Sequence, residues 1–395
     1  MNYILFDDKS WNNLLPLTFT RPVCEIRAGI LTIKEKWEKY LDAKMSYITQ
    51  EYLQVKYKLN VEDENILING SVIPTNDLLS NIKNLNTNEV LVKNNKTIAV
   101  KLEKQDLKSF NYNEIDKYNK REYSDKLVEI IWPWDIFSTN GENIISDFEL
   151  LTKDRKSAKI SNTNNLLNAE NIFIEEGAKL EFTTLNATMG PIYIGKNAEV
   201  MENSVIRGPF ALGEKSVVKL GAKIYGPTTV GPFSKVGGEI NNSVIFGYSS
   251  KAHDGFLGNS VIGEWCNLGA DTNNSNLKNN YTEVRLWNYE TERFKKTGLQ
   301  FCGLIMGDHS KCAINTMFNT GTVVGVNANI FGDGFPRNFI PSFSWGGASG
   351  FTVYGIKKAF EVAELVMARR EKELNETEKD ILKEIFERTS KYRYF

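Results

Sequence analysis

The stretch that decides the fold runs from Ile194 to Gly237 and reads IGKNAEVMENSVIRGPFALGEKSVVKLGAKIYGPTTVGPFSKVG. An aliphatic residue returns at every sixth position of this stretch without a break. These positions are Ile194, Val200, Ile206, Leu212, Val218, Ile224, Val230 and Val236. A helix repeats its apolar face about every 3.6 residues and a strand every two, so neither explains a sustained period of six. The pattern predicts a parallel β-helix of triangular cross-section, in which each flat side takes six residues.

Small residues follow most of these aliphatic positions four places later. They are Ala198, Ser204, Ser216, Ala222, Thr228 and Ser234. A small side chain fits beside the corner of a narrow prism, while the aliphatic side chains point into its interior. Successive coils then stack through parallel strand pairs about 4.8 Å apart, and the aliphatic ladders fill the interior.

The composition excludes several classes of partner. The chain has 395 residues, 25% charged and 41% hydrophobic, with a formal net charge of −1. Nucleic acids and anionic membranes need a concentrated basic face, so we expect neither as a partner. No apolar stretch approaches the roughly 20 residues of a membrane span, and we expect a cytoplasmic protein. The four cysteines form no CxxC pair and are predicted to be free thiols: Cys24, Cys266, Cys302 and Cys312.

Four segments are predicted along the chain. Residues 1–150 alternate strand and helix patterns, which indicates an α/β domain with a strand at Tyr3–Phe6 and a helix at Ala28–Tyr40. A polar linker is predicted at 151–168, the β-helix at 169–350, and a helical tail at 351–395.

Two features interrupt or end the repeats. The insertion at about 277–299 alternates strand, turn and strand residues, which predicts a hairpin that leaves the prism. Asn375 followed by Glu378 resembles a capping box that opens a last helix.

His253 is the candidate catalytic residue, since the chain has only two histidines. The six-residue phase is lost between Asn241 and Gly258, so we expect this segment to bulge from the prism and expose His253. Glu239 lies fourteen positions before His253 and Asn267 fourteen positions after it. Because three six-residue sides make one coil, both residues are predicted to lie on coils that neighbour that of His253. A carboxylate beside an imidazole favours its role as a proton acceptor. A structural or surface histidine is the alternative.

The segment around His253 resembles the acetyltransferase half of the bifunctional N-acetylglucosamine-1-phosphate uridyltransferase/glucosamine-1-phosphate N-acetyltransferase family. The matching residues are Lys251, Ala252, His253, Leu257 and Gly258, followed by Asn267, Gly269, Thr272 and Asn276. The stretches at 267–281 (NLGADTNNSNLKNNY), 300–325 (QFCGLIMGDHSKCAINTMFNTGTVVG) and 335–347 (FPRNFIPSFSWGG) resemble a variant branch of this family with a shortened N-terminal domain.

The resemblance implies a left-handed β-helix, a homotrimer, and an acetyl-CoA-dependent N-acetyltransferase that acts on an amino sugar 1-phosphate. Glucosamine 1-phosphate is the first acceptor to expect, in the biosynthesis of UDP-N-acetylglucosamine for the cell wall. His253 would be the base and Glu239 its support, while Asn267 and Asn276 would bind substrate. Four residues could replace the family's phosphate-binding cations or equally be surface charges: Arg207, Lys223, Lys235 and Lys251. The residues expected at acetyl-CoA are Gly269, Ala270, Lys311 and Arg337.

The N-terminal half resembles sugar nucleotidylyltransferases in LPLTFTRPVCEIR (15–27) and NGSVIP (69–74). The glycine-rich phosphate loop of those enzymes is replaced by LFDDKSWNNL (5–14), and Ser71 stands where their metal-binding aspartate is expected. An active domain would use UTP or dTTP with Mg²⁺. Its candidate ligands are Arg21 and Arg27 for phosphate and Asp7, Asp8 or Asp135 for the metal. Two alternatives stay open: a nucleotidylyltransferase whose β-helix serves only assembly, and a scaffold without either activity.

Overall fold

A computed structural model describes all residues from Met1 to Phe395. The chain forms two compact units. The first comprises Met1–Leu14, Thr20–Ile26 and Leu31–Trp132, and the second comprises Leu15–Phe19, Arg27–Ile30 and Pro133–Phe395. No helix is both long and apolar enough to cross a membrane. All four cysteines are buried free thiols, which confirms that prediction.

A six-stranded mixed sheet forms the first unit, in the order β2-β1-β3-β5-β4-β6. Its strands are β1 (Asn2–Phe6), β2 (Met45–Ile48), β3 (Glu64–Asn69), β4 (Glu89–Lys93), β5 (Lys96–Glu103) and β6 (Asn119–Glu122). Its helices are α1 (Ser10–Asn13), α2 (Ile33–Leu41), α3 (Glu51–Gln54) and α4 (Asn76–Lys83). Strands β2, β1 and β3 are parallel, so their carboxyl ends share one edge of the sheet.

Helix α2 begins later than the predicted residue 28. Thr32 accepts a hydrogen bond from the Glu35 backbone, and the Glu35 side chain accepts one from Thr32 N–H. This capping box gives partners to the backbone N–H groups of Thr32 and Glu35, which the helix itself leaves unpaired. Thr32 is therefore the N-cap, and the helix begins at Ile33.

A three-faced parallel β-helix forms most of the second unit. The first face contains Asn165–Leu167, Thr184–Asn186, Val205–Arg207, Lys223–Tyr225, Glu239–Asn241 and Phe256–Gly258, and the pair Asn273–Asn274 and Met317–Phe318 continues it. The second face contains Ile172–Ile174, Ile192–Ile194, Phe210–Leu212, Thr228–Val230, Val244–Gly247, Val261–Glu264, Leu304–Met306, Thr322–Val324 and Phe339–Ile340. The third contains Lys179–Leu180, Glu199–Val200, Val217–Val218, Lys235–Val236, Ser250–Lys251, Asn267–Leu268, Lys311–Cys312, Asn329–Ile330, Ser344–Gly347 and the antiparallel Gly350–Val353.

The six-residue pattern is confirmed residue by residue. All eight aliphatic positions from Ile194 to Val236 are at most 2% exposed and belong to one core. Buried serines near the corners bond to the next coil, as Ser216 Oγ donates to the carbonyl of Gly231 at 2.8 Å. The hydroxyl is thereby satisfied inside an otherwise apolar prism.

Outside the prism, the predicted hairpin is present as Arg285–Asn288 paired with Arg293–Lys296. The remaining helices are α5 (Pro133–Ser138), α6 (Asn140–Thr152), α7 (Ile356–Ala368) and α8 (Glu376–Arg388). Asn375 and Glu378 form the predicted capping box of α8.

The units divide at Trp132 and not at the predicted residue 150. Helix α6 packs on the β-helix, where the Asn140 amide donates to the carbonyl of Pro227 at 3.0 Å. The segment predicted as a linker, 151–168, also contains the last residues of α6 and the first strand of the prism. Polar composition alone did not reveal these strand and helix ends, because their outward residues are polar.

Candidate functional site

His253 lies in a corner of the prism, the segment that connects the third face to the first. The corresponding corner of the preceding coil is unusually short. Residues 219–222 connect the third face to the first in one coil, and residues 252–255 do so two coils later. In the coil between them, only Gly237 and Gly238 join Val236 to Glu239. His253 therefore lies in a corner of ordinary length. The prediction that its own segment bulges is corrected: the missing residues are in the coil beneath.

Gly238 is required by this short corner. Its φ is +74°, and a Cβ there would lie 2.9 Å from the carbonyl oxygen of His253 and 2.8 Å from Cα of Asp254. A side chain would push the corner above it outward. The N–H of Glu239 donates to the carbonyl of Gly255 at 3.2 Å. Glu239 and His253 thus lie on adjacent coils beside one corner.

Tyr225 holds the Glu239 carboxylate. Its hydroxyl donates to Oε1 of Glu239 at 2.6 Å, and this hydrogen bond, with burial as a second cause, raises the pKa of Tyr225 to about 12. The His253 side chain is exposed and makes no hydrogen bond to Glu239 in the structure. Sequence reasoning missed Tyr225. The available signal was its outward position directly after the inward Ile224.

Lys251 occupies an inward position of the third face. It pairs with the inward Val236 of the preceding coil. Leu268 and Cys312 occupy the equivalent inward position in the two following coils. Only 2% of Lys251 is exposed, and burial lowers the pKa of its ammonium to about 8. Its Nζ donates to the carbonyls of His253 at 2.6 Å and Asp254 at 3.1 Å. The expectation that Lys251 contacts the sugar phosphate is therefore corrected, because its charge points into the prism.

The two predicted substrate amides lie apart. Asn267 is exposed on the third face, in register with Ser250 and three residues short of the level of His253. The Asn276 amide donates to Oδ1 of Asn259 at 2.8 Å, at the opposite end of the first face from His253. The chain by itself does not gather both amides around the imidazole.

The predicted acetyl-CoA residues occupy two places. Gly269 and Ala270 begin the corner next to that of His253, where a Cβ on Gly269 would come within 2.5 Å of the Ala313 backbone. Lys311 follows on the next coil, and its ammonium donates to the carbonyl of His309 at 2.8 Å. Arg337 is exposed elsewhere, in a cavity of about 630 Å³ that the hairpin lines.

A polar cluster lies at the carboxyl ends of β1 and β3 in the first unit. Asp8 accepts hydrogen bonds from the Ser10 N–H at 2.9 Å and the Asn69 amide at 3.0 Å, and it lies 3.3 Å from Lys96 Nζ. Burial opposes ionisation, but Lys96 and the hydrogen bonds prevail and lower the pKa of Asp8. Ser71, at the place of the expected aspartate, accepts a hydrogen bond from Lys96 at 3.1 Å. The carboxyl edge of a parallel sheet is a common ligand position.

The other residues predicted to bind phosphate or metal are engaged in the fold. Asp7 accepts from the Thr49 hydroxyl at 2.6 Å and the Val23 N–H at 2.9 Å, and burial raises its pKa to about 7. Arg21 is 4% exposed. Arg27 belongs to the second unit, where its Nε donates to the carbonyl of Phe246 at 3.1 Å. Its assignment to phosphate is corrected, because its guanidinium bonds backbone carbonyls.

Mg²⁺ does not fit the pair Asp7 and Asp8. The oxygens of Asp8 already accept hydrogen bonds and face the Lys96 ammonium. The chain contains no cluster of three or more His, Cys, Asp or Glu residues placed to hold a metal ion. Lys96 therefore supplies the positive charge that the cluster contains.

These features define a two-unit protein, with an α/β unit whose polar cluster follows parallel strands and a parallel β-helix with an exposed corner histidine. Residues 3–156 match the model of the sugar nucleotidyl transferase family.

The curated relatives are bifunctional GlmU proteins. That of Methanocaldococcus jannaschii is 34% identical over 89 residues, which is 22% of this chain and 21% of that protein. That of Methanococcus maripaludis is 30% identical over 227 residues, 55% of this chain and 46% of that protein. The chain thus spans less than half the length of the curated relatives it matches. The chain is thus similar over part of its length to bifunctional GlmU proteins, and its residues 3–156 resemble the sugar nucleotidyl transferase family.

A solved structure, the UDP-N-acetylglucosamine acyltransferase of Arabidopsis, also resembles the chain. It is 15% identical with a TM-score of 0.20, and the match covers 54% of this chain and 80% of that one.

Proposed function

We propose that the protein is an acetyl-CoA-dependent N-acetyltransferase for an amino sugar 1-phosphate, with glucosamine 1-phosphate as the first acceptor to test. The observation that supports this most is the exposed His253 above the Gly237–Gly238 corner, with Glu239 on the adjacent coil. The resemblance of the surrounding segment to the acetyltransferase half of the family supports the choice of substrates.

The reaction follows from these residues. His253 takes a proton from the sugar amine while the nitrogen attacks the thioester carbonyl of acetyl-CoA. The tetrahedral intermediate collapses, the C–S bond breaks, and the CoA thiolate leaves and is protonated by the imidazolium. Glu239, oriented by Tyr225, stabilises the imidazolium through its negative charge on the adjacent coil.

One assay tests this proposal. The purified protein is incubated with acetyl-CoA and glucosamine 1-phosphate, and thiol release and product mass are followed. His253→Ala should lower the rate by about 10²–10⁴-fold, the usual contribution of a general base. Leu220→Ala, on the same edge of the prism two coils earlier and 64% exposed, is the matched control and should keep the rate. Equal rates in wild type and His253→Ala would rule out the proposed base.

Nucleotidyl transfer in the first unit is the second candidate function, either coupled to acetylation to give UDP-N-acetylglucosamine or alone with the β-helix serving assembly. The observation that favours it is the Asp8–Lys96 cluster at the carboxyl edge of the sheet, within the segment that matches the sugar nucleotidyl transferase model. The assay adds UTP or dTTP with Mg²⁺ and measures pyrophosphate. His253→Ala separates the two activities, because pyrophosphate release should survive it.

A further inference from the structure

The turn between β4 and β5 fixes the position of Lys96. Asn94 and Asn95 both have positive φ, 49° and 61°, which is typical of a two-residue hairpin turn of type I′. The two strands remain paired as far as Lys93 and Lys96, on either side of this turn. Lys96 is therefore the first residue of β5, which runs antiparallel beside β3. Its side chain reaches the edge of the sheet where β3 ends, and Nζ donates to the Ser71 hydroxyl at 3.1 Å.

Two carboxylates from different segments meet at the Lys96 ammonium. Asp8 follows β1, and its Oδ2 lies 3.3 Å from Nζ. Glu129 forms a β-bridge with Val72 just beyond β3, and it forms a second ion pair with Lys96. With the Ser71 hydroxyl, the ammonium has three oxygen partners, as many as it has N–H donors. The side chains of Asp8, Glu129 and Lys96 are 5%, 19% and 20% exposed, so little water competes for these contacts.

The oxygens around this ammonium are of the kind that hold a divalent cation. Mg²⁺ and Mn²⁺ prefer oxygen ligands, and a protein commonly supplies Mg²⁺ with only one or two carboxylates. Without Lys96, the charges of Asp8 and Glu129 would repel each other unless a cation or a proton lay between them. Because Lys96 is attached to the same sheet, its effective concentration at the carboxylates is high, whereas Mg²⁺ must first give up part of its water.

We propose that Lys96 is a built-in cation: its ammonium occupies a divalent-cation site formed by Asp8, Glu129 and Ser71, and the first unit therefore holds no resident metal ion. Removal of the ammonium should turn this cluster into a metal site. The proposal concerns an ion held by the protein, not Mg²⁺ that arrives bound to a nucleotide. It goes beyond the proposed function, because it holds whether or not the first unit transfers nucleotidyl groups.

Mn²⁺ binding to the full chain tests it, followed through the paramagnetic resonance signal of the free ion. The wild type should leave the signal of added Mn²⁺ unchanged. Lys96→Ala should bind a single Mn²⁺ per chain, and excess Mg²⁺ should release it. Lys96→Arg keeps the positive charge and should behave as the wild type does. Mg²⁺ should also raise the melting temperature of Lys96→Ala and not that of the wild type, because an ion that binds only the folded chain stabilises it.

Lys101→Ala is the matched control. Lys101 lies on the same strand and forms an ion pair with the single carboxylate of Glu64 at 3.3 Å, so its removal should create no Mn²⁺ site.

Three results would overturn the proposal: the wild type binds Mn²⁺ as tightly as Lys96→Ala, Lys96→Arg gains the same site, or folded Lys96→Ala binds no more Mn²⁺ than the control. Circular dichroism establishes folding, and Lys96→Gln, which also lacks the charge, replaces Lys96→Ala if that variant is unfolded. The measurement involves neither acetyl-CoA nor a nucleotide, so failure of this proposal and failure of the proposed function are distinguishable.

Discussion

Lys251 shows how a single residue links the core of the prism to the candidate site. An ammonium in a ladder of aliphatic side chains has lost its water, and two carbonyls of the His253 corner replace that water in part. A buried charge usually costs more than an apolar residue of similar volume. We therefore infer that Lys251 has a positioning role. It holds the His253 corner in place and lowers the stability of the folded chain in doing so.

Lys251→Met should separate stability from function. At pH 7 we expect the free energy of unfolding to rise by about 1–4 kcal/mol, because a buried charge is replaced by an apolar side chain of similar length. The freed carbonyls lie in an exposed corner and can bind water. The acetyl-transfer rate should fall, since the His253 corner is no longer held. Chemical denaturation and the thiol-release assay measure the two effects. A variant that is less stable and equally active would refute the positioning role.

The difference in unfolding free energy between the wild type and Lys251→Met should also depend on pH. The pKa of Lys251 is lowered from 10.5 to about 8 in the folded chain, so the unfolded chain binds more protons between these values. Wild-type stability should therefore rise relative to Lys251→Met as the pH increases from about 8 to about 10.5, and below pH 8 the penalty is largest. Denaturation midpoints of both proteins at pH 7 and pH 10 check the sign. A constant difference would contradict it.

Gly238 offers a test of the short corner. Gly238→Ala should destabilise the protein and lower the acetyl-transfer rate, because the new Cβ would lie within 3 Å of the corner backbone above. Gly221→Ala is the matched control: its φ is +65°, yet nothing lies within 4 Å of its Cβ. Both variants carry about 1 kcal/mol of left-handed strain. Only Gly238→Ala should move the His253 corner, and equal losses in the two variants would assign the effect to strain alone.

At the scale of an element, the strand that carries Tyr225 positions the strand that follows it. Parallel pairing sets Lys223–Tyr225 beside Glu239–Asn241, and this brings the phenol of one coil to the carboxylate of the next. A second hydrogen bond between a tyrosine and a glutamate lies at the second face, where Tyr193 donates to Glu175 of the preceding coil at 2.7 Å, and Arg155 also binds that carboxylate. The Tyr193–Glu175 hydrogen bond therefore serves as a structural control for the Tyr225–Glu239 hydrogen bond.

Tyr225→Phe should lower acetyl transfer by roughly 10- to 100-fold, since a hydrogen bond to a charged group contributes about 1.5–3 kcal/mol. Tyr193→Phe removes a Tyr–Glu hydrogen bond on another face of the prism, in an earlier coil than His253, and should leave the rate unchanged. Steady-state kinetics on both variants give the comparison, with thermal denaturation to establish that each is folded. An unchanged rate in Tyr225→Phe would mean that Glu239 needs no such support.

At the scale of the whole molecule, Asn267 and Asn276 lie on different sides of the prism from each other, and Arg337 lies in a separate cavity. One chain therefore does not place these three side chains around a single site. The family resemblance predicts a homotrimer, and closed cyclic symmetry would place one copy's corner beside another copy's face. Light scattering should give three times the chain mass, and a strictly monomeric protein with full activity would contradict this arrangement.

The sequence by itself determined the β-helix, its inward residues from Ile194 to Val236, the hairpin, the capping box of α8 and the choice of His253. Each depends on local spacing, because the period of a repeat selects the side chains that face inward. It did not reveal that Gly237 and Gly238 form the short corner, that Lys251 points inward, or that Tyr225 bonds Glu239. Those facts depend on the register between coils, where a shift of one residue exchanges inward and outward faces. Only the tertiary structure decides that register.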